Sequence, residues 1–296
     1  MTIHPAMALI TQAMHQGYAV GYFESWSLDS FQGVIDAAEE TRSPILIGVN
    51  GAFLSREGRL AEECLSWYAA LGRAAAASAA VPCGLIFNEC GNDAWLRAAV
   101  DLGFSLVMPD DPEAEPAAFM QRVAALTRYA HQHGVAVEAE VGHLPCGVSE
   151  TMGTQEGGLT DPLEAARFVK ATAIDLLAIS VGNVHILLSG SRALDLDHLA
   201  RVRRAVELPF DLHGGTGIAP DSLREAIGLG VAKVCYGTYI KQRYLREIRK
   251  TLGEAEPNPH KVLGFGGPED LLVAGRRAVK EAVLERIEGL GCCGKA

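Results

Sequence analysis

Gly182-Asn183-Val184-His185 and Leu212-His213-Gly214-Gly215-Thr216-Gly217 are the two stretches on which the reading of this chain turns. Each places a histidine just past a short apolar run. Histidines at the C-terminal ends of successive buried parallel strands point at a common axis and can share one metal ion. The second is followed at once by a Gly-rich turn, a backbone suited to cradling phosphate. Metal beside phosphate points to chemistry on a sugar phosphate or a similar small molecule.

Outward from these stretches, apolar runs recur at Tyr18–Phe23, Pro44–Val49, Cys83–Phe87, Ser105–Met108, Ala136–Val141, Leu176–Val181, Pro209–Leu212 and Lys233–Tyr236. They are nearly continuous in hydrophobicity, the mark of parallel strands covered on both faces. The intervening stretches read as helices. Asp29–Thr41 puts Phe31, Val34, Ile35 and Ala38 on one face. Asn92 caps the next stretch of this kind and Gly103 ends it. Thr160-Asp161-Pro162 opens another in cap-then-proline order, and Pro220-Asp221 opens the one ending near Gly228. Ala69–Ala80 reads as a close-packed outer helix. Eight strand–helix units predict an α/β protein, a (β/α)8 TIM barrel, over a doubly wound sheet. Residues 1–296 read as a single domain with a C-terminal helical extension, Pro268–Glu288, packing under the barrel or on a neighbouring subunit.

The 296 residues are 49% hydrophobic and carry a formal charge of −10, an acidic balance that argues against general nucleic-acid binding. No run of roughly 18 or more apolar residues marks a membrane span, and Met1–Gln12 lacks the basic and apolar regions of a signal peptide. The seven cysteines have no framework spacing, so reduced thiols and a cytoplasmic location are expected.

In a barrel of this kind chemistry collects where strands end. The candidates there are Glu24, Asn50, Asn88, Glu89, Cys90, Asp110, Glu140, His143, His185, His213 and Thr238. Glu138 and Glu140 alternate with Val137, Ala139 and Val141, which turns both carboxylates toward the barrel interior, where Lys233 or a cation must partner them. Lys233 is also a candidate Schiff-base amine. Two imidazoles leave a divalent ion underliganded. Glu89 is read as the third ligand beside His185 and His213, with Cys90 as its rival. Gly142–Leu159 reads as a long Gly-bearing loop able to cover the site.

These motifs resemble the class II, metal-dependent ketose-bisphosphate aldolases over nearly the whole chain. Tyr18–Phe23 is similar to that family's opening strand, Ala37–Pro44 to its first helix and following turn, Gly103–Met108 to its fourth strand and Val137–Gly142 to its fifth. Gly182–His185 and Leu212–Ile218 match motifs that carry two zinc ligands and part of a phosphate site, and Gly294-Lys295-Ala296 resembles a common ending. The resemblance implies a lyase of carbohydrate metabolism with zinc, its phosphate site formed by Gly214, Gly215, Thr216, Gly217, Cys235, Gly237 and Thr238.

The departures cluster at one face. Asn88-Glu89 stands where the family carries Asp-His, so an amide replaces the acid/base group and a carboxylate replaces a zinc ligand. The anionic oxygen admits manganese or magnesium as alternatives to zinc. Cys235 replaces an Asn, Tyr239 an acid, Ile186 a Gly and Glu24 an Asn. Asn88 can orient a hydroxyl but cannot take its proton, so Glu24, Glu140, Glu150 or metal-bound water must serve as the base. The expected activity is a metal-dependent carbon–carbon lyase with altered specificity, acting on a ketose phosphate or a related acidic substrate, in a homodimer or homotetramer. The alternatives are an isomerase or epimerase using the same enolate chemistry, and a catalytically silent binding or assembly subunit.

Overall fold

The structure, a computed structural model, describes residues 3–142, 144–147, 158–253 and 256–296. Eight parallel strands, β1 (Val20–Glu24), β2 (Ile45–Asn50), β3 (Cys83–Cys90), β4 (Leu106–Pro109), β5 (Ala136–Val141), β6 (Leu176–Ile179), β7 (Phe210–Leu212) and β8 (Val231–Tyr236), close into a barrel in chain order. Val20 to Phe23 of β1 pair with Lys233 to Tyr236 of β8, which completes the circle and excludes an open doubly wound sheet. The fold is a (β/α)8 TIM barrel. Its strands are buried along nearly their whole length, as continuous apolar runs require.

The helices begin where local chemistry says they should. The Asn92 side chain accepts from the Ala94 and Trp95 amides and opens Asp93–Asp101; Gly103 then takes φ 87°. Asp161 accepts from Leu163 and Glu164 ahead of Pro162–Thr172. Leu28–Thr41 starts from a reciprocal Ser27–Ser30 cap. Leu65–Ser78 is the alanine-rich outer helix.

Two elements differ from the sequence reading. The helix Ala6–Gln16, preceded by Pro5 and closed by Gly17 at φ 71°, packs beneath the barrel, where the His4 amide donates to the Cys83 carbonyl. The C-terminal helix, Leu271–Ile287, lies not underneath but on the outer ring, against Leu28–Thr41 and Thr238–Leu252. Arg276 holds Asp36 through two hydrogen bonds of 2.5 and 2.7 Å, and Arg243 pairs with Glu285 at 2.8 Å. Among the described residues no helix is long and apolar enough to cross a membrane.

Two register irregularities place the site. Phe87 pairs with Val107 but Cys90 pairs with Pro109, so β3 carries one residue more than β4 between these pairs. That is a bulge, and Glu89 within it takes φ 49°. On the other side Phe210 pairs with Val231 and Asp211 with Lys233, so β8 carries the extra residue, Ala232.

Candidate metal centre and active site

The bulge in β3 breaks the alternation of side chains. Cys90 turns outward, its thiol in contact with Ser55 and Asn92. It is therefore no rival ligand. Glu89, expected just past the strand end, lies inside β3 and turns toward the barrel mouth. Its Oε1 sits 2.7 Å from His213 Nδ1 and 3.4 Å from His185 Nε2. The side chain of Asn50 donates to its other oxygen. Ligand atoms of Glu89, His185 and His213 all lie within 4.8 Å of one another, and the two rings are 5.4 Å apart.

His185 reaches this point because Asn183 ties the turn after β6 to its neighbours. Asn183 accepts from the Val181 amide at 2.9 Å and donates to the carbonyls of Ile179 and His213 at 3.2 and 3.0 Å. The next residue, Ile186, takes φ 50°, a left-handed backbone unusual for a β-branched side chain. The turn after His213 needs Gly214: at φ 68° a Cβ there would collide with the Val184 carbonyl.

The electrostatics suit a cation. Burial alone would raise the Glu89 carboxyl, but His213, His185 and Asn50 hold it down at about 2. Burial pushes His185 below its ordinary value, toward the neutral form that binds metal. Burial also opposes a charged His213, yet Cys235, Asp211 and Glu89 outweigh it and raise the group well above 6.5. Without a metal, the His213 proton thus sits among anions in a place where a divalent cation can replace it. One carboxylate and two imidazoles are a donor set that fits zinc, with a position left open.

Beneath the histidines lies a dry charged network. Lys233 Nζ donates to Glu138 Oε2 at 2.6 Å and to Asp211 Oδ2 at 3.2 Å, and all three side chains are fully buried. Burial disfavours the ammonium, but Asp211, Cys235 and Glu138 raise Lys233 well above 10.5. A permanently protonated, doubly paired amine is no nucleophile, so the Schiff-base reading of Lys233 fails.

The remaining candidates separate. A cavity of about 840 Å³ opens beside the ligands, lined in part by Glu89, Asp110, Glu140, His185 and Arg167. Burial, then Asp110 and Glu89, outweigh the lowering by His213 and push Glu140 up to about 8. Burial and Glu89 likewise push Asp110 up to about 6. Asn88 is buried, and its Oδ1 has no hydrogen-bond partner among the described residues. Glu24 faces a different cavity of about 300 Å³, with Asn50, Arg59 and Tyr68, and is captured by Lys241. Burial outweighs Lys241 and raises the Glu24 carboxyl above its ordinary value, and its separate cavity sets it apart from Glu140. His143, Glu150 and most of Gly142–Leu159 lie outside the described residues.

The anion turn is only partly as expected. The Tyr239 amide, near the start of Thr238–Leu252, donates to Thr216 Oγ1 at 3.3 Å, which joins the two expected halves. The Gly217 amide already bonds the Gly214 carbonyl at 3.0 Å. The Glu24 carboxylate packs against Gly237 as half of its ion pair with Lys241, so this edge of the pocket carries both signs of charge. Cys235 is buried with its thiol donating to the Asp211 carboxylate, Oδ2 at 3.2 Å, and burial pushes it up to about 12.

A barrel whose successive strand ends bring a carboxylate and two histidines together, with a glycine turn following the second, has relatives. The family model for class-II fructose-bisphosphate aldolase matches residues 5–295. The chain belongs to that family. It is 32% identical over 305 residues to the fructose-bisphosphate aldolase of Streptococcus pyogenes serotype M6, covering 100% of each chain. It is 29% identical over 297 residues to that of Geobacillus stearothermophilus, covering 100% of this chain and 99% of the relative. The solved structure of the YdjI aldolase from Escherichia coli K12 superposes with a TM-score of 0.79 at 27% identity, covering 100% of both chains. The chemistry of this family is aldolase-type carbon–carbon cleavage with a divalent metal, and Glu89, His185 and His213 are the residues of this chain able to hold one.

Asn50, Asn183 and Asp211 are the contributors whose roles the sequence reading missed. Asn183 sits inside a quoted motif, but a helper to a ligand has no spacing of its own. Asp211 did leave a signal. A charged residue two positions before His213 in an apolar strand must share its face.

Proposed function

We propose that this chain is a metal-dependent aldolase-type lyase acting on a phosphorylated or acidic ketose-like substrate, with fructose 1,6-bisphosphate cleaved weakly or not at all. The observation that carries the reading is the convergence of Glu89, His185 and His213 beside a cavity into which Glu140, raised to about 8, also opens. A divalent ion held by these three residues would supply a Lewis acid that polarises the substrate carbonyl.

The rest falls to side chains. Cleavage takes the proton from the hydroxyl β to the carbonyl, breaks the carbon–carbon bond between them and passes the electron pair to the carbonyl oxygen. Asn88, with an unpartnered buried Oδ1, accepts a hydrogen bond from that hydroxyl and orients it but takes no proton. Glu140 is the base. About a tenth of it is ionised at pH 7 if its pKa is about 8, and positive charge at the neighbouring ligands increases that share. Gly214, Gly215, Thr216 and Thr238 bind the anionic end.

The test is metal analysis followed by aldehyde release from fructose 1,6-bisphosphate and a panel of ketose phosphates and acids, at matched zinc occupancy. Wild type should turn over a panel member and leave fructose 1,6-bisphosphate nearly untouched. Asn88→Asp with Glu89→His should recover part of the latter activity. Wild-type cleavage of fructose 1,6-bisphosphate at an ordinary enzyme rate of about 1–10³ s⁻¹ would refute the role given to Asn88.

A further inference from the structure

His213 uses both ring nitrogens. Nδ1 faces Glu89 at 2.7 Å and Nε2 faces Asp211 Oδ2 at 2.9 Å. An imidazole that gives one nitrogen to a metal keeps its proton on the other, and a carboxylate accepting that proton fixes tautomer, ring orientation and basicity together. Asp211 is built for this. It is fully buried on the strand that leads into His213, and the extra residue Ala232 in β8 sets Lys233 directly opposite it. Lys233 Nζ at 3.2 Å and the Cys235 thiol at 3.2 Å both donate to the same Oδ2 that lies 2.9 Å from His213 Nε2. Glu138 Oε1 also hydrogen-bonds His213 Nε2, at 3.3 Å, with its other oxygen tied to Lys233, and Asp211 Oδ2 is the nearer of the two carboxylate oxygens. We propose that Asp211, held by Lys233 and Cys235, is the positioning residue that accepts the Nε2–H of His213 and so presents Nδ1 to the metal.

The same atoms admit a rival arrangement. Asp211, His213 and Cys235 also bring three ligand atoms within 4.8 Å of one another. A cation there would need His213 to lose its second proton while Nδ1 is already committed. It would also sit beside the Lys233 ammonium in a volume closed to water. Like-charge repulsion in a low-dielectric interior argues against it, and the hydrogen-bonded arrangement leaves Lys233 satisfied.

The proposal rests on the metal reading made above, and the test separates the two. Zinc-loaded protein with ¹⁵N-labelled histidine is examined by long-range ¹H–¹⁵N correlation, and zinc affinity is measured by chelator competition. Wild type should show His213 bound through Nδ1 with a strongly downfield Nε2–H. Asp211→Asn should move that proton upfield and weaken zinc binding about 10–100-fold. A merely structural role would lower thermal stability and leave both readouts in place. Cys235→Ala, which keeps the Asp211–His213 pair, should change affinity less than about threefold; loss of zinc in this variant would instead support the rival cluster. Should Asp211→Asn fail to fold, the wild-type spectrum and Cys235→Ala still decide. Wild-type His213 bound through Nε2, or Asp211→Asn with unaltered affinity and proton shift, overturns the proposal alone. Wild type that binds no zinc overturns the metal reading and this proposal together.

Discussion

The two sides of the barrel mouth are built on opposite plans. On the β7–β8 side, Asp211, His213, Lys233 and Cys235 are buried and tied to one another at 2.9–3.2 Å. On the β3–β5 side, Asn88 has an oxygen without a hydrogen bond among the described residues, and Asp110 and Glu140 are pushed up to about 6 and 8 with no salt-bridge partner among those residues. On the wired side each charge has an opposite partner, although Asp211 Oδ1 itself has no hydrogen bond among the described residues, and removing one charge strands the others. The unpaired side borders the cavity of about 840 Å³. Asp110 and Glu140 line it, and proton transfer needs groups whose ionisation is not locked. A metal centre asks for the first kind of environment and acid–base chemistry for the second. Here they meet at Glu89, which belongs to β3 but points to His213.

The largest effect should follow from breaking their junction. His213→Ala removes a ligand and leaves Asp211 without its imidazole. Bound zinc should fall below stoichiometry, and turnover on the best panel substrate should drop about 10²–10³-fold or more. Metal analysis and steady-state rates of the same preparation check this. Full zinc retention would show that the wired side does not hold the metal.

Next in size is Lys233→Met, which tests the wired side alone. It leaves Glu138 and Asp211 buried without their cation, and loss of one partner of such a group costs about 3–5 kcal/mol. Urea unfolding should show that loss, while the matching change on the other side, Asp110→Asn, should be neutral or stabilising at pH 8. Equal losses would erase the contrast between the two sides.

Glu140→Gln probes the unpaired side in two ways. Activity should fall about 10²–10⁴-fold, and the rise of wild-type kcat/KM toward alkaline pH should vanish. Stability should move the other way. The folded carboxyl titrates at about 8 against an ordinary 4.5, so its contribution is fully present below about pH 4.5 and is lost as pH rises through about 8. In metal-free protein the variant should therefore match wild type near pH 4 and exceed it by roughly 2–3 kcal/mol at pH 9, after allowing for partial exposure. Unfolding curves at both pH values measure this, and a variant less stable at pH 9 would contradict the buried-acid account.

The smallest expected effect is at the seam. Ile186→Gly relieves a left-handed backbone and should stabilise the fold by about 1 kcal/mol, the strain relieved being partly offset by the freer unfolded chain. A thermal melt suffices to test it, and a lower Tm would show that the Ile186 side chain contributes more through packing than its φ of 50° costs.

Much of this was legible before any coordinates. Eight apolar runs, each a few residues long, specify parallel strands because burial on both faces leaves no room for polar alternation. The caps at Asn92 and Asp161 and the histidines past β6 and β7 are likewise local, decided by neighbours within a few residues in the chain. Other features depended on register around the closed barrel. One extra residue in β3 turns Glu89 inward and Cys90 outward, and one in β8 sets Lys233 against Asp211. Lys241 reaches Glu24 from the far end of the chain and pairs with it beside a separate cavity. No sequence spacing encodes these pairings. They follow from how strands slide and bulge when a sheet is closed on itself, a property of all eight strands together. The amino-acid sequence by itself therefore determined that a barrel forms and which histidines stand at its mouth. Only the tertiary structure decided which side chains meet there, because the choice of partner across a barrel is made by register and not by distance along the chain.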